Sequence, residues 1–299
     1  MKVLLTGATG FVGSAVLSKL VAIKIHPIIV VREGAYFDSE VQRVVVDSIG
    51  SKTDWLESLR ECDVVIHAAA RVHVMNDLAL DPLAEFREVN TFGTLNLAEQ
   101  AAKAGVRRFI FISSIKVNGE QTAVGSSFNP DDSNVPIDPY GLSKYEAEFG
   151  LREIAQKTGM EVVIIRPPLV YGPGVRANFL KMMSWVYKGV PLPLGAIDNA
   201  RSFVALDNVV DLVCTCINHP KAKNQTFVVS DGEDVSTTKL LQMIARALGR
   251  PTRLIPVPMW LLKLGANLIG KPDMVQRLCG SLQVDISKTR ELLGWVPPL

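Results

Sequence analysis

Met1-Lys-Val-Leu-Leu-Thr-Gly7-Ala-Thr-Gly10-Phe-Val-Gly13 is the stretch whose reading decides the fold. Val3 to Thr6 read as a short buried strand. Phe11 to Val21 repeat apolar residues at helical spacing. Three glycines punctuate the turn between them, and each has its own task. Gly7 permits a tight turn off the strand, Gly10 lets backbone N–H groups approach a pyrophosphate, and Gly13 lets the helix pack close to the sheet. The helix N-terminus adds unpaired N–H groups and the positive end of its dipole. Gly7, Gly10 and Gly13, with Phe11 and Val12 in the first helical turn, are therefore candidate cofactor-binding positions for a dinucleotide.

Working outward, Ile28 to Val31 form a second apolar run that ends at Arg32, followed by Glu33. The residue at the end of the second strand meets the adenosine ribose. A carboxylate there suits the free hydroxyl of NAD and an arginine suits a 2′-phosphate, so Arg32 favours NADP(H), with NAD(H) kept open by Glu33. Val44 to Asp47 are a third strand; Asp47 either accepts from the adenine amino group or belongs to the approach to a helix after Asp54. Cys62 to His67 are a fourth strand running into Ala68, Ala69 and Ala70, small enough for a cofactor to lie against. His67 and His73 are given no catalytic role. Residues 83–104 read as a helix carrying Asn90. Phe109 to Ile112 are a fifth strand ending at Ser113-Ser114. Residues 116–139 are polar and aperiodic and read as a lid or binding loop. They deliver Tyr140-Gly-Leu-Ser-Lys144, which opens a helix, and Val162 to Arg166 are a sixth strand.

This alternation implies an α/β fold with a parallel, doubly wound sheet. From Pro167 onward prolines break the pattern. The expected division is a dinucleotide-binding domain of residues 1–170, joined by about 201–229, and a smaller, less regular C-terminal substrate-binding lobe of residues 171–200 and 230–299.

Composition narrows the function classes. The chain has 299 residues, 48% hydrophobic, and a net charge of +2, with no basic run that would mark a nucleic-acid footprint. Cys62, Cys214, Cys216 and Cys279 lack metal spacing and read as reduced packing residues, which places the protein in the cytoplasm. Residues 2–6 are needed as the first strand, so no secretory leader is expected. The most apolar stretch, residues 258–270, is too short to span a membrane and carries Lys263 and Asn267. It reads as an amphipathic helix over the substrate lobe, with membrane contact the lesser reading.

Tyr140 and Lys144 stand four apart on one helix face. A lysine cation beside the phenol would lower its pKa from about 10 toward neutrality and make it a general acid/base. Ser114, at a strand end, is placed to hydrogen-bond the same oxygen. Ser114, Tyr140 and Lys144 are the candidate catalytic residues, suited to moving a proton while a nicotinamide moves a hydride. No metal site is expected.

With these motifs quoted, the chain resembles the extended short-chain dehydrogenase/reductases, the family of nucleotide-sugar epimerases, dehydratases and 4-ketoreductases. The resemblance also rests on Asn90-Thr-Phe-Gly-Thr94, Arg166-Pro-Pro-Leu-Val-Tyr-Gly-Pro173, Arg201-Ser-Phe-Val204 and Leu293-Gly-Trp-Val-Pro297. It implies a Rossmann sheet, a catalytic trio of Ser114, Tyr140 and Lys144, and cofactor contacts that include Tyr140, Lys144 and Pro167. Asn90 would order the active-site helix beside the cofactor. Arg201 would meet a substrate diphosphate, Leu192 would border the nucleobase, and Lys116 and Asn178 would complete the substrate contacts. A homodimer through the helices after Asn90 and Lys144 is expected from the family.

Departures refine this. Sugar dehydratases carry an acidic pair where this chain has Ile115 and Lys116, so dehydration is not expected. Asn118 replaces the usual tyrosine, and Leu169 replaces a frequent asparagine. Residues 113–120 and 70–77 resemble bacterial surface-polysaccharide enzymes acting at C4 of UDP-linked, N-acetylated 6-deoxyhexoses. The leading expectation is an NADPH-dependent 4-ketoreductase. The alternative is a UDP-hexose or UDP-N-acetylhexosamine 4-epimerase; lesser ones are another alcohol dehydrogenase of the family and a non-catalytic dinucleotide sensor.

Overall fold

The computed structural model describes residues 1–34, 41–72, 81–132, 134–175, 177–268, 270 and 272–299, with backbone alone for 177–178 and 272–274. The chain runs β1 (Val3–Thr6), α1 (Phe11–Ala22), β2 (Ile28–Arg32), β3 (Arg43–Val46), β4 (Val64–His67), α2 (Pro82–Phe86), a π-helical turn (Arg87–Phe92), α3 (Gly93–Lys103) and β5 (Arg108–Ile112). It continues with α4 (Pro139–Thr158), β6 (Glu161–Arg166), β7 (Leu169–Tyr171), α5 (Ala177–Tyr187), β8 (Arg201–Ala205), α6 (Leu206–Asn218) and β9 (Gln225–Val228). β10 (Asp234–Val235), α7 (Thr237–Ala247), α8 (Met259–Leu268), α9 (Pro272–Cys279) and α10 (Ser287–Leu293) complete it.

Seven strands form one all-parallel sheet in the order β3-β2-β1-β4-β5-β6-β9. Its central strands are apolar on both faces because helices cover both. On one side Leu5, Ile29 and Ile66, brought level by the sheet register, pack with α1 and α6. On the other, Leu4, Val65 and Phe109 pack with α3, α4 and the fully buried Trp55. Truncating such a tryptophan typically costs about 3–5 kcal/mol. The doubly wound fold read from the sequence is present, and the six strands read along the chain all lie in this sheet.

Three local expectations are corrected. No helix follows Asp54: residues 56–61 are turns, and the Trp55 N–H is held by Gln100 Oε1 at 2.8 Å. The strand 201–205 does not join the large sheet; β8 pairs with β7 and β10 in a separate three-stranded sheet. Residues 116–139 are not an open lid. Their middle is stitched to residues 281–285 by Thr122 N–H to Ser281 O at 2.9 Å and Phe128 N–H to Gln283 O at 2.8 Å. Phe128 is buried there with Leu282 and Val284. Nothing in local composition announces a partner this distant in sequence.

The smaller lobe has its own core, in which Phe179, Leu192, Phe203, Leu241 and Ala266 meet.

Candidate active site

The glycine turn sits at the carboxyl edge of the sheet. Gly7 adopts φ +75°, a conformation that side chains rarely take. A Cβ there would lie 2.6 Å from the Ala68 carbonyl carbon and the Ala69 nitrogen. The Gly10 N–H donates to Gly7 O at 2.8 Å and closes the turn, and a Cβ on Gly13 would run into the Gly7 carbonyl. This is a cradle that any side chain would fill, and it opens on the N-terminus of α1, so the residues fit a dinucleotide pyrophosphate. Phe11, Val12, Ala68, Ala69 and Ala70 line the same edge half-buried. Arg32 and Asp47 are exposed farther along it, where the register sets Arg32 beside Val46.

A buried polar chain stiffens this edge. Thr94 Oγ1 donates to Asn90 O at 2.7 Å, so its contact with His67 Nε2 at 3.0 Å must be received from the ring. His67 Nδ1 then accepts from Thr6 Oγ1 at 2.7 Å. The ring is neutral: burial, then the charge of Lys144, drives its pKa down to about 3. His67 is thus a strut between β1, β4 and α3.

Asn90 lies in the π-helical turn. Its amide accepts from Arg71 N–H at 2.8 Å and donates to Arg71 O and Ser143 Oγ, both at 3.0 Å. Both N–H donors are committed within the protein. Asn90 therefore reaches any cofactor through the backbone it holds, and it ties that backbone to α4.

Asp138 caps α4, accepting from Gly141 N–H at 3.2 Å, and Lys116 Nζ stands 3.2 Å from the same carboxylate. Tyr140 follows, its ring edge-on to Phe86 with centroids 5.9 Å apart. Ser114 approaches the Tyr140 phenol and acts to lower the phenol's pKa. Lys144, only 1% exposed, donates from Nζ to Ile112 O at 2.9 Å and lies 4.3 Å above the Phe111 ring.

The electrostatics correct one expectation. The phenol is pushed up to about 12: burial dominates, the Ser114 hydrogen bond opposes it, and the Asp138 charge adds to it. Lys144 does not offset this, because its ammonium is seated on the Ile112 carbonyl and the Phe111 face. Burial pulls Lys144 itself down to about 7, against the opposing charge of Glu148.

Sequence reasoning missed Glu148, one turn beyond Lys144. Fully buried, it accepts from Ser113 Oγ at 2.6 Å, Arg166 Nε at 2.8 Å and Arg152 at 2.8 Å. Arg166 reaches on to Asn118 Oδ1 at 2.9 Å and Pro130 O at 3.1 Å. The signal was there to be used: a carboxylate four residues after a lysine on an inward face, and an arginine closing an apolar strand.

The substrate candidates disperse more. Pro167 is buried and accepts from Ile115 N–H at 3.0 Å, beside Ser114. Arg201 donates from Nη1 to Arg277 O at 2.9 Å and Gly280 O at 3.0 Å, and burial lowers its pKa. A guanidinium held by carbonyls rather than a carboxylate keeps its charge for an anion. Leu192 is a core residue of the smaller lobe, its backbone paired with Arg253 and Ile255. The Asn178 side chain and His73 lie outside the described residues. Among the described residues no group of three or more His, Cys, Asp or Glu could hold a metal, and no helix is long and apolar enough to cross a membrane.

A phenol, a hydroxyl and a lysine gathered below a dinucleotide cradle can exchange a proton with a substrate hydroxyl while a nicotinamide exchanges hydride with the carbon that bears it. The class so defined is an NAD(P)-dependent enzyme of the extended short-chain dehydrogenase/reductase kind. Comparison with known proteins agrees. Residues 3–230 match the NAD dependent epimerase/dehydratase family, and the chain belongs to that family. It is 54% identical, over 99% of its length and 90% of the relative's, to a UDP-glucose 4-epimerase of Vibrio cholerae. Among solved structures, a UDP-glucose 4-epimerase with UDP-glucose from Thermotoga maritima matches with a TM-score of 0.79 at 25% identity, covering 100% of this chain and 94% of that one. A UDP-glucuronic acid 4-epimerase from Bacillus cereus in complex with NAD shares the fold, with a TM-score of 0.80 at 22% identity over 100% and 94% of the two chains.

Proposed function

We propose that this protein is a UDP-hexose 4-epimerase using NAD. The observation that carries the reading is the 54% identity, end to end, with the Vibrio cholerae enzyme. It favours the epimerase over the 4-ketoreductase that was the leading expectation. The bound dinucleotide supplies the hydride acceptor and donor. Tyr140 takes the proton from the C4 hydroxyl and later returns it, with Ser114 hydrogen-bonded to the same oxygen. A phenol held near 12 does this poorly alone; a cationic nicotinamide, were it bound in this site, would favour the phenolate. Lys144 orders the site from below. The α1 N-terminus and the glycine turn hold the cofactor pyrophosphate, and Arg201 holds the sugar-nucleotide diphosphate. The lobe of residues 171–200 and 230–299 encloses the substrate, and Lys116 borders the sugar.

Epimerisation needs no net redox, so one retained NAD serves every turnover. Arg32 is the observation that favours a second reading, reduction of a 4-keto sugar with NADPH. The exposed Phe92 and Phe149, on the neighbouring helical segments after Asn90 and Lys144, support a homodimer. We place the enzyme in the cytoplasm, in the supply of sugars for surface polysaccharide. The test incubates the purified protein with UDP-glucose, UDP-N-acetylglucosamine and 4-keto-UDP-sugars, with and without NADH or NADPH, and reads the products by proton NMR. C4 inversion of a UDP-hexose without nicotinamide consumption is expected. Stoichiometric NADPH oxidation on the keto sugars, with no inversion, overturns the reading.

A further inference from the structure

A helix that is apolar all round belongs in an interior. α8 is apolar on two faces, and only one is seated. Met259, Leu262 and Ala266 face inward against the core of the smaller lobe. Trp260, Leu261, Leu264 and Leu268 fall within an arc of about 100° on the opposite side. They are 66%, 44%, 52% and 80% exposed. Four large apolar side chains on one helical stripe differ from the single exposed leucines that any surface carries. Ile255, just before the helix, extends the stripe at 50% exposure.

The charge of the sequence flanking the stripe says what covers it. From Val235 to Pro272 the sequence contains no Asp or Glu, while Lys239, Arg246, Arg250, Arg253, Lys263 and Lys271 all fall in that span. Arg246, Arg250, Arg253 and Lys263 are exposed. In a chain whose basic and acidic residues number 32 and 30, this local imbalance is large. A second copy of the chain is a poor cover, because a symmetric contact through α8 sets Lys263 and its neighbours against their own kind with no carboxylate in the segment to pair them. An anionic lipid surface meets every feature. Its headgroups take the cations, its acyl boundary takes the leucines, and a tryptophan favours the level between them. We propose that the α8 face, with Trp260, Leu264 and Leu268 at its centre, docks the protein peripherally on an anionic membrane surface.

The test is co-sedimentation of the full chain with vesicles of phosphatidylcholine alone or with added phosphatidylglycerol, at low and high salt. The native protein is expected to sediment with the anionic vesicles at low salt and to be released by high salt. Combining Trp260→Ser, Leu264→Ser and Leu268→Ser should lower the bound fraction at least about tenfold, with circular dichroism and Tm unchanged because these side chains face outward. Lys263→Glu with Arg253→Glu should weaken binding to anionic vesicles and leave neutral ones unaffected. The proposal is overturned if the native protein stays in the supernatant with all vesicles, or if the triple variant binds as well as the native chain. It is overturned equally if sedimentation velocity shows that these substitutions abolish self-association while vesicle binding is absent from the start. None of these readouts depends on which sugar the enzyme takes.

Discussion

Lys144 and Glu148 stand one turn apart on the same buried face of α4, and the protein treats them in opposite ways. Glu148 is surrounded: two arginines and a serine hydroxyl satisfy its oxygens, and Arg166 carries the network on to Asn118 and Pro130. Lys144 has one carbonyl and one aromatic face. One charge is compensated and serves the fold; the other is left costly, as the proposed catalytic role would require. Active-site charges are commonly held in this under-satisfied state because the interactions that complete them come with the ligands.

Four measurements would break or sharpen that contrast. The largest effect falls at the reacting end. Tyr140→Phe removes the proton carrier and should lower kcat by three or more orders of magnitude, leaving thermal stability and bound nucleotide nearly as in the native protein. Ordinary turnover in that variant removes Tyr140 from the mechanism. Next, Glu148→Ala strands the buried guanidinium of Arg166 and should cost about 3–5 kcal/mol in denaturant unfolding. Loss within the range of an ordinary surface substitution would mean that solvent reaches the cluster.

The third effect has the opposite sign. Lys144→Met should abolish activity and yet stabilise the ligand-free protein by about 1–3 kcal/mol. Folded Lys144 titrates near 7 and the unfolded side chain near 10.5. Between these values the unfolded chain binds the extra proton, so native stability should rise as pH goes up from about 7 toward 9. The buried thiols of Cys214 and Cys216, held up to about 11 and 12, act the other way only above that window. Urea midpoints across it should rise in the native protein and stay flatter in Lys144→Met. The smallest effect lies at the far end of the cofactor edge, where Arg32→Asp should lower the affinity for NADP relative to NAD by roughly tenfold or less. Equal affinities before and after the change would take Arg32 out of the cofactor site.

The same contrast explains what could be read in advance. Gly7, Gly10 and Gly13 were legible because local backbone geometry forces glycine there. Tyr140 and Lys144 were legible because helical spacing sets them on one face. Glu148 was not, since its meaning depends on Arg166 from a strand and Asn118 from a loop, and no short window holds all three. Residues 201–229 were grouped with the dinucleotide-binding domain, yet β8 pairs with β7 and β10, because periodicity reports burial and not partners. The phenol's pKa was misjudged for a related reason: spacing placed the lysine near the tyrosine, but only the fold aims its ammonium at Ile112. Leu192 was expected at the nucleobase only through the family resemblance; the fold bridges it to Leu254 and buries it in the core of the smaller lobe.

The π-helical turn at Arg87–Phe92 has a consequence for how this chain can vary in length. Such a turn carries one residue more than an α-helix would use over the same rise. Removing any single residue between positions 87 and 92 would let the segment close up as continuous α-helix, and a homologue shortened there should look normal by composition and by helical content. The flanking helices would keep their places, but the side chains inside the turn would shift by one position, about 100° around the axis. Asn90 would then face away from Arg71 and Ser143. A one-residue gap at this place in an otherwise matching sequence therefore marks the loss of the Asn90 ties to Arg71 and to α4, even with Ser114, Tyr140 and Lys144 all present.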